Sequence, residues 1–145
     1  MREAYFAGGC FWCITPMFAE LPGVDRVTSG YSGGAEPSPT YEQVKRQETG
    51  HRETIRVRYD PTLVSYERLL EVFLENVDPF DGGGQFIDRG HSYTLAVYYE
   101  TEAEKASAEG ALARLKAACG KEPSVALEPF SAFWEAEEYE VLSIS

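Results

Sequence analysis

The sequence predicts one α+β domain, residues 1–145, with helices packed on a mixed sheet around a split β-α-β core. Three observations point there. Strand-like and helix-like stretches follow one another as strand-helix-strand, helix, strand-helix-strand, helix, strand. A chain of 145 residues, 43% of them hydrophobic, can bury one core and is short for two. No repeat or low-complexity linker divides it.

Taken in order, Arg2 to Ala7 reads as a strand and Gly8-Gly9 as a sharp turn, because glycine accepts positive φ and lets another molecule approach the backbone. A helix should follow from about Phe11 to Glu20. Either Pro16 lies inside it at the loss of one backbone hydrogen bond, or Thr15 caps and Pro16 opens a separate turn. Leu21-Pro22-Gly23 ends that segment, and Val24 to Tyr31 is a second strand. Ser32 to Pro39 is loop chemistry, after which Thr40 can cap a short helix carrying Tyr41 and Val44.

Gly50-His51-Arg52-Glu53 leads into the strand Thr54 to Tyr59, closed by Asp60-Pro61. Near the beginning of that strand, Glu53 taken alone reads as a solvated surface carboxylate. Ser65 to Val77 is the clearest helix: Ser65 caps it, and Leu69, Leu70, Phe73, Leu74 and Val77 form a core-facing stripe. Asp78 to Ser92 reads as a long loop, of a length that a compact domain usually keeps for function. Tyr93 to Tyr99 is a strand, and Thr101 opens a helix running to about Ala118 through a capping box with Glu104. Val125 to Glu128 is a last short strand, and Phe133 to Tyr139 an acidic, aromatic tail of one helical turn at most.

Charge and cysteine usage narrow the function. A net charge of −11 disfavours nucleic acid, which demands clustered Lys and Arg. No apolar run approaches the roughly 18 residues of a membrane span, and no leader precedes the first strand, so a cytoplasmic protein is expected. Three cysteines, an odd number, argue against a disulfide framework and for a reducing compartment where thiols do chemistry.

The stretch Gly8-Gly9-Cys10-Phe11-Trp12-Cys13 is where that chemistry would sit. Strand, glycines, cysteine and then helix put a thiol at a helix N-terminus, where unpaired N–H groups and the helix dipole favour thiolate. Phe11 and Trp12 add apolar surface beside it, suited to a substrate with a small apolar group next to the atom attacked. Other readings stand beside this one: an inert buried cysteine with core aromatics, a thioredoxin-like Cys-x-x-Cys pair, or half of a zinc site. Zinc is the weakest, since Cys119, His51 and His91 form no second tight pair.

Gly8-Gly9-Cys10-Phe11-Trp12, Leu21-Pro22-Gly23-Val24, Gly30-Tyr31-Ser32-Gly33-Gly34, Pro39-Thr40-Tyr41, Thr49-Gly50-His51-Arg52-Glu53, Tyr59-Asp60-Pro61, Gly84-Gln85-Phe86-Ile87-Asp88-Arg89-Gly90 and Ala136-Glu137-Glu138-Tyr139 follow one another along nearly the whole chain. In this order they resemble the peptide methionine sulfoxide reductases of the A type, in the subgroup with Cys-Phe-Trp-Cys. The resemblance implies a ferredoxin-like fold and reduction of the S epimer of methionine sulfoxide, free or in oxidised proteins. It implies Cys10 as nucleophile, Glu53 as the acid that meets the sulfoxide oxygen, and Tyr41 and Tyr93 as hydrogen-bond donors to that oxygen. It further implies Asp88 as a supporting loop carboxylate, and Phe11 and Trp12 as the pocket for the methyl group.

That chemistry is physically coherent. A sulfoxide sulfur is a poor electrophile until its oxygen is protonated or strongly hydrogen-bonded. Burial beside aromatics would raise Glu53 towards about 6 to 7, as enzymes arrange for catalytic carboxyls. Neutral tyrosines would stabilise charge developing on oxygen. Cys10 would be left as a sulfenic acid that a second thiol condenses with, and thioredoxin or another dithiol would then restore it, with no bound cofactor and no metal.

The chain departs from the family pattern in places. Cys13 stands where glycine is frequent, Lys45 where a number of members carry cysteine, and Val77 where many have histidine. The familiar His-Gln after Tyr139 is replaced by Glu140 to Ser145, so the C-terminus is a variant or a cut-short one. Cys13 is the expected resolving thiol, because its spacing from Cys10 at a helix start can close a disulfide; Cys119 and an external thiol are the alternatives. His51 and His91 are expected to make structural hydrogen bonds. A general thiol-disulfide oxidoreductase would need neither Glu53 nor the tyrosines, and a module that merely binds oxidised methionine would keep its function without Cys10.

Overall fold

A computed structural model describes residues 1–8, 11–34, 51–85, 88–89 and 94–135, with 11–14, 84–85 and 88–89 described by their backbone alone. The strands are β1 (Arg2–Gly8), β2 (Val24–Ser32), β3 (Arg52–Tyr59), β4 (Gly84–Gln85), β5 (Asp88–Arg89), β6 (Leu95–Tyr99), β7 (Val125–Pro129) and β8 (Phe133–Glu135). The helices among the described residues are α1 (Phe11–Ala19), α2 (Tyr66–Glu75) and α3 (Glu102–Cys119).

The main sheet has the order β7-β6-β1-β3-β2-β8. Its centre, β6-β1-β3-β2, is the antiparallel arrangement of a ferredoxin-like split β-α-β core. β7 adds a parallel strand beyond β6 and β8 an antiparallel one beyond β2, which makes the sheet mixed. The expected fold class holds.

Alternation in β1 and β3 divides the molecule. Ala4 and Phe6 of β1, with Ile55, Val57 and Tyr59 of β3, face the helices, where Phe18, Leu69, Leu70 and Phe73 complete the larger core. Phe6 stacks on Phe18 at 5.4 Å and on Phe73 at 5.2 Å between ring centres. On the opposite face Tyr5, Ala7, Ala96 and Tyr98 are covered by Phe130 and Phe133, and Tyr5 stacks on Phe130 at 4.0 Å.

α2 behaves as its stripe predicts: Ser65 Oγ accepts the Arg68 N–H at 3.1 Å, and Leu69, Leu70, Phe73 and Val77 are buried while Leu74 packs against them. Each fully buried side chain of this kind contributes about 1.5–3 kcal/mol. In α3, Thr101 Oγ1 accepts from the Glu104 N–H, and Glu104 reaches back to accept from the Glu100 N–H at 2.8 Å. α1 is a single helix with Pro16 inside it, which decides between the two readings of that stretch.

Two expectations fail. Phe133 to Glu135 is a strand and not a helical turn, because the outer edge of β2 is open to pairing and consecutive aromatics suit it: Tyr31 lies opposite Trp134, and Ser32 Oγ donates to the Ala132 carbonyl at 2.6 Å. The segment after Asp78 is not wholly loop either, since β4 and β5 form a small ladder with Gly84 opposite Arg89 and Gln85 opposite Asp88. The helix expected after Thr40 lies outside the described residues.

Candidate active site

β1 is one of the two middle strands of the four-strand core, and its carboxyl end leads through Gly8 towards α1, which begins at Phe11. Cys10 falls in that connection by sequence and is itself outside the described residues. Antiparallel pairing decides what surrounds the connection. β3 and β6 flank β1, so both begin where β1 ends: Phe6 lies opposite Ile55, and Gly8 opposite Leu95. Glu53 is two residues before Ile55, and Tyr93 is two before Leu95. Chain segments far apart in sequence are thereby gathered at one end of the sheet.

Glu53 is 3% exposed, which overturns the reading of it as a solvated carboxylate. The cause is strand parity: Glu53 shares a face with Ile55, Val57 and Tyr59, so a side chain at that position points under the helices. Opposite it on β2 stands Tyr31, fully buried. Beside it His51 is 1% exposed, and its Nδ1 accepts the Gly34 N–H at 3.3 Å, a structural role of the expected kind.

The remaining predicted residues are placed only in part. Phe11, Trp12 and Cys13 lie in the first turn of α1, and Asp88 on β5, by backbone alone. Tyr41, Tyr93 and His91 lie outside the described residues. Cys119, the last residue of α3, is a free, exposed thiol. Among the described residues no cluster of His, Cys, Asp and Glu could hold a metal.

One residue escaped the sequence reading. Arg52 is 8% exposed, and on the face opposite Glu53 its Nε donates to Thr94 Oγ1 at 2.8 Å. Its Nη1 donates to Tyr98 Oη at 3.0 Å and to Glu128 Oε2 at 3.3 Å. Burial opposes its charge, but Tyr98 and Glu128 outweigh that and hold the guanidinium above its ordinary range. Burial likewise pushes the Tyr98 phenol up, so it stays neutral and donates onward to the Ser32 carbonyl at 3.3 Å. The available signal was again parity: in Arg-Glu-Thr-Ile-Arg-Val the charged pair at the strand's start occupies both faces.

The peptide methionine sulfoxide reductase family matches residues 2–141. The chain belongs to this family. The peptide methionine sulfoxide reductase MsrA of Bacillus subtilis (strain 168) is 46% identical over 138 residues, covering 94% of this chain and 78% of that protein. The structure of methionine sulfoxide reductase A of Corynebacterium diphtheriae superposes with a TM-score of 0.84 at 29% identity, covering 96% of this chain and 71% of that one. Mxr1 from Saccharomyces cerevisiae, in complex with Trx2, shares the fold at 17% identity with a TM-score of 0.67, covering 97% of this chain and 84% of that one. This A-type peptide methionine sulfoxide reductase is thus an oxidoreductase that reduces methionine sulfoxide, and no described helix is long and apolar enough to cross a membrane.

Proposed function

We propose that the enzyme reduces the S epimer of methionine sulfoxide, free or in oxidised proteins, with Cys10 as nucleophile and Glu53 as general acid. The observation that carries this reading is the burial of Glu53 at the end of the sheet where β1 leads to Cys10. Burial holds bulk water away from this carboxyl, so a sulfoxide oxygen entering the site can meet it directly. The Cys10 thiolate attacks the sulfoxide sulfur while Glu53 protonates the oxygen. Tyr41 and Tyr93 donate to that oxygen, Phe11 and Trp12 receive the methyl group, and Asp88 supports the site. The protonated oxygen passes to Cys10 Sγ as its bond to the substrate sulfur and the transient bond between the two sulfurs break, so the sulfide leaves reduced by two electrons and Cys10 is oxidised to a sulfenic acid.

Cys13 then condenses with the sulfenic acid, releasing water and forming a disulfide. A dithiol reductant of the thioredoxin type reduces it, as the yeast complex with Trx2 suggests for this fold. No bound cofactor enters the cycle. A reducing compartment, the cytoplasm, suits both this chemistry and the free thiol of Cys119.

Turnover of the separated epimers with thioredoxin tests the scheme. Only the S epimer should be reduced. Cys10→Ser should be inert, and Cys13→Ser should complete one turnover but not several. Glu53→Gln should slow single-turnover reduction about a hundredfold, the usual scale for a positioned acid. Reduction of both epimers, or an unchanged single-turnover rate in Glu53→Gln, removes the corresponding assignment.

A further inference from the structure

We infer that Arg52 is a positioning residue that fixes the acid Glu53 at the start of β3 from the reverse side of the sheet; this rests on the reading of Glu53 given above. Its guanidinium starts on β3 and bonds Thr94 and Tyr98 at β6, yet β1 lies between those strands. The side chain must therefore cross β1 near its carboxyl end. Space for the crossing comes from Ala7 and Ala96, which sit opposite each other on that face and are fully buried.

Each contact ties down a different part of the site. Thr94 stands just before β6, so the 2.8 Å bond from Arg52 Nε ties the start of β3 to the approach to β6. Tyr98 passes the link to the Ser32 carbonyl, and Ser32 pairs with Arg52 while the adjacent Tyr31 pairs with Glu53. Glu128 on β7 offsets part of the buried charge at 3.3 Å. The guanidinium faces away from Glu53, so it cannot touch substrate bound on Glu53's side. It acts by holding strand ends in register. A planar guanidinium bonds these partners through two nitrogens held in a fixed geometry, whereas the donors of a lysine ammonium all radiate from one point.

The test is a mutant cycle on the full chain, with Arg52→Met, Arg52→Lys and Glu53→Gln. Three readouts are needed: single-turnover sulfoxide reduction, the rate of Cys10 alkylation by iodoacetamide, and thermal unfolding. Arg52→Met should slow reduction about tenfold or more, the scale of a slightly misplaced group, while alkylation, which needs only the thiolate, changes less than about twofold. The slowing should nearly vanish in the Glu53→Gln background, because residues acting through one another are not additive. Arg52→Lys should restore only part of the rate.

Equal slowing of reduction and alkylation, or the same factor in both backgrounds, would mean general structural damage and overturn the proposal. A wild-type rate in Arg52→Met overturns it as well. If Glu53→Gln alone keeps the wild-type rate, the acid assignment fails and takes this inference with it; if Glu53→Gln is slow and Arg52→Met is not, only the inference fails. Should Arg52→Met not fold, Thr94→Val, which removes one acceptor at nearly constant volume, should still slow reduction a few-fold without changing alkylation, and the absence of any slowing overturns the proposal.

Discussion

Gly33 shows how strictly a single position can be specified. Its φ of +91 is a conformation that L residues adopt only with strain, and a Cβ there would run into the Tyr98 hydroxyl that links Arg52 to Ser32. Gly33→Ala should therefore destabilise the fold by about 1–3 kcal/mol, seen as a lower urea midpoint with an unchanged slope. An unchanged midpoint would mean that the Tyr98 link is not rigid. At this scale the sequence was legible where chemistry is local. Ser65 and Thr101 announced their helices because a cap is read from a few neighbours. Glu53 was not legible from its residue type, since carboxylates are usually exposed; only its motif resemblance marked it. Arg52 was hidden altogether, because its partners Thr94, Tyr98 and Glu128 are distant in sequence.

Among the elements, α3 carries a cap with a testable electrostatic consequence. Glu104 is 5% exposed, and burial pushes its carboxyl above the ordinary range despite the Glu100 N–H and Arg2, which pull it down. The folded chain therefore binds this proton more tightly than the unfolded chain. Stability falls as pH rises from the ordinary carboxylate range through the raised folded value, and the loss is complete above it. Glu104→Gln keeps an acceptor for the Glu100 N–H and removes the titration. Its melting temperature should exceed that of the wild type at neutral pH, with the gap closing below about pH 4. A gap that stays constant with pH would exclude the carboxyl as its source. The strands show the converse limit. β3 and β6 were readable by alternation, but β8 was not, because Phe133 to Glu135 is a strand only where β2 offers it an edge.

On the scale of the whole molecule, a net charge of −11 repels itself in the compact state. Surface pairs such as Arg68 with Glu71 at 2.9 Å and Lys116 with Glu122 at 2.7 Å are exposed and worth little individually. Raising ionic strength from about 0.01 to about 0.15 M shortens the Debye length from about 30 to about 8 Å, so the melting temperature should rise over that range. A fall instead would mean that the ion pairs outweigh the repulsion. The order of elements along the chain was enough to reach the split β-α-β core. The gathering of Glu53, Arg52 and Thr94 around the end of β1 was not, because it follows from strand order and register, which no local pattern encodes. The short strand β8 carries one more implication. Chains damaged by oxidation are loosened chains, and loosened chains recruit any long, flat strand edge they meet. Among the described residues β8 provides three residues of edge, and β7 at the far side ends on Pro129, which has no N–H to give. Among the described residues, the borders of this sheet therefore offer such a chain little backbone to pair with.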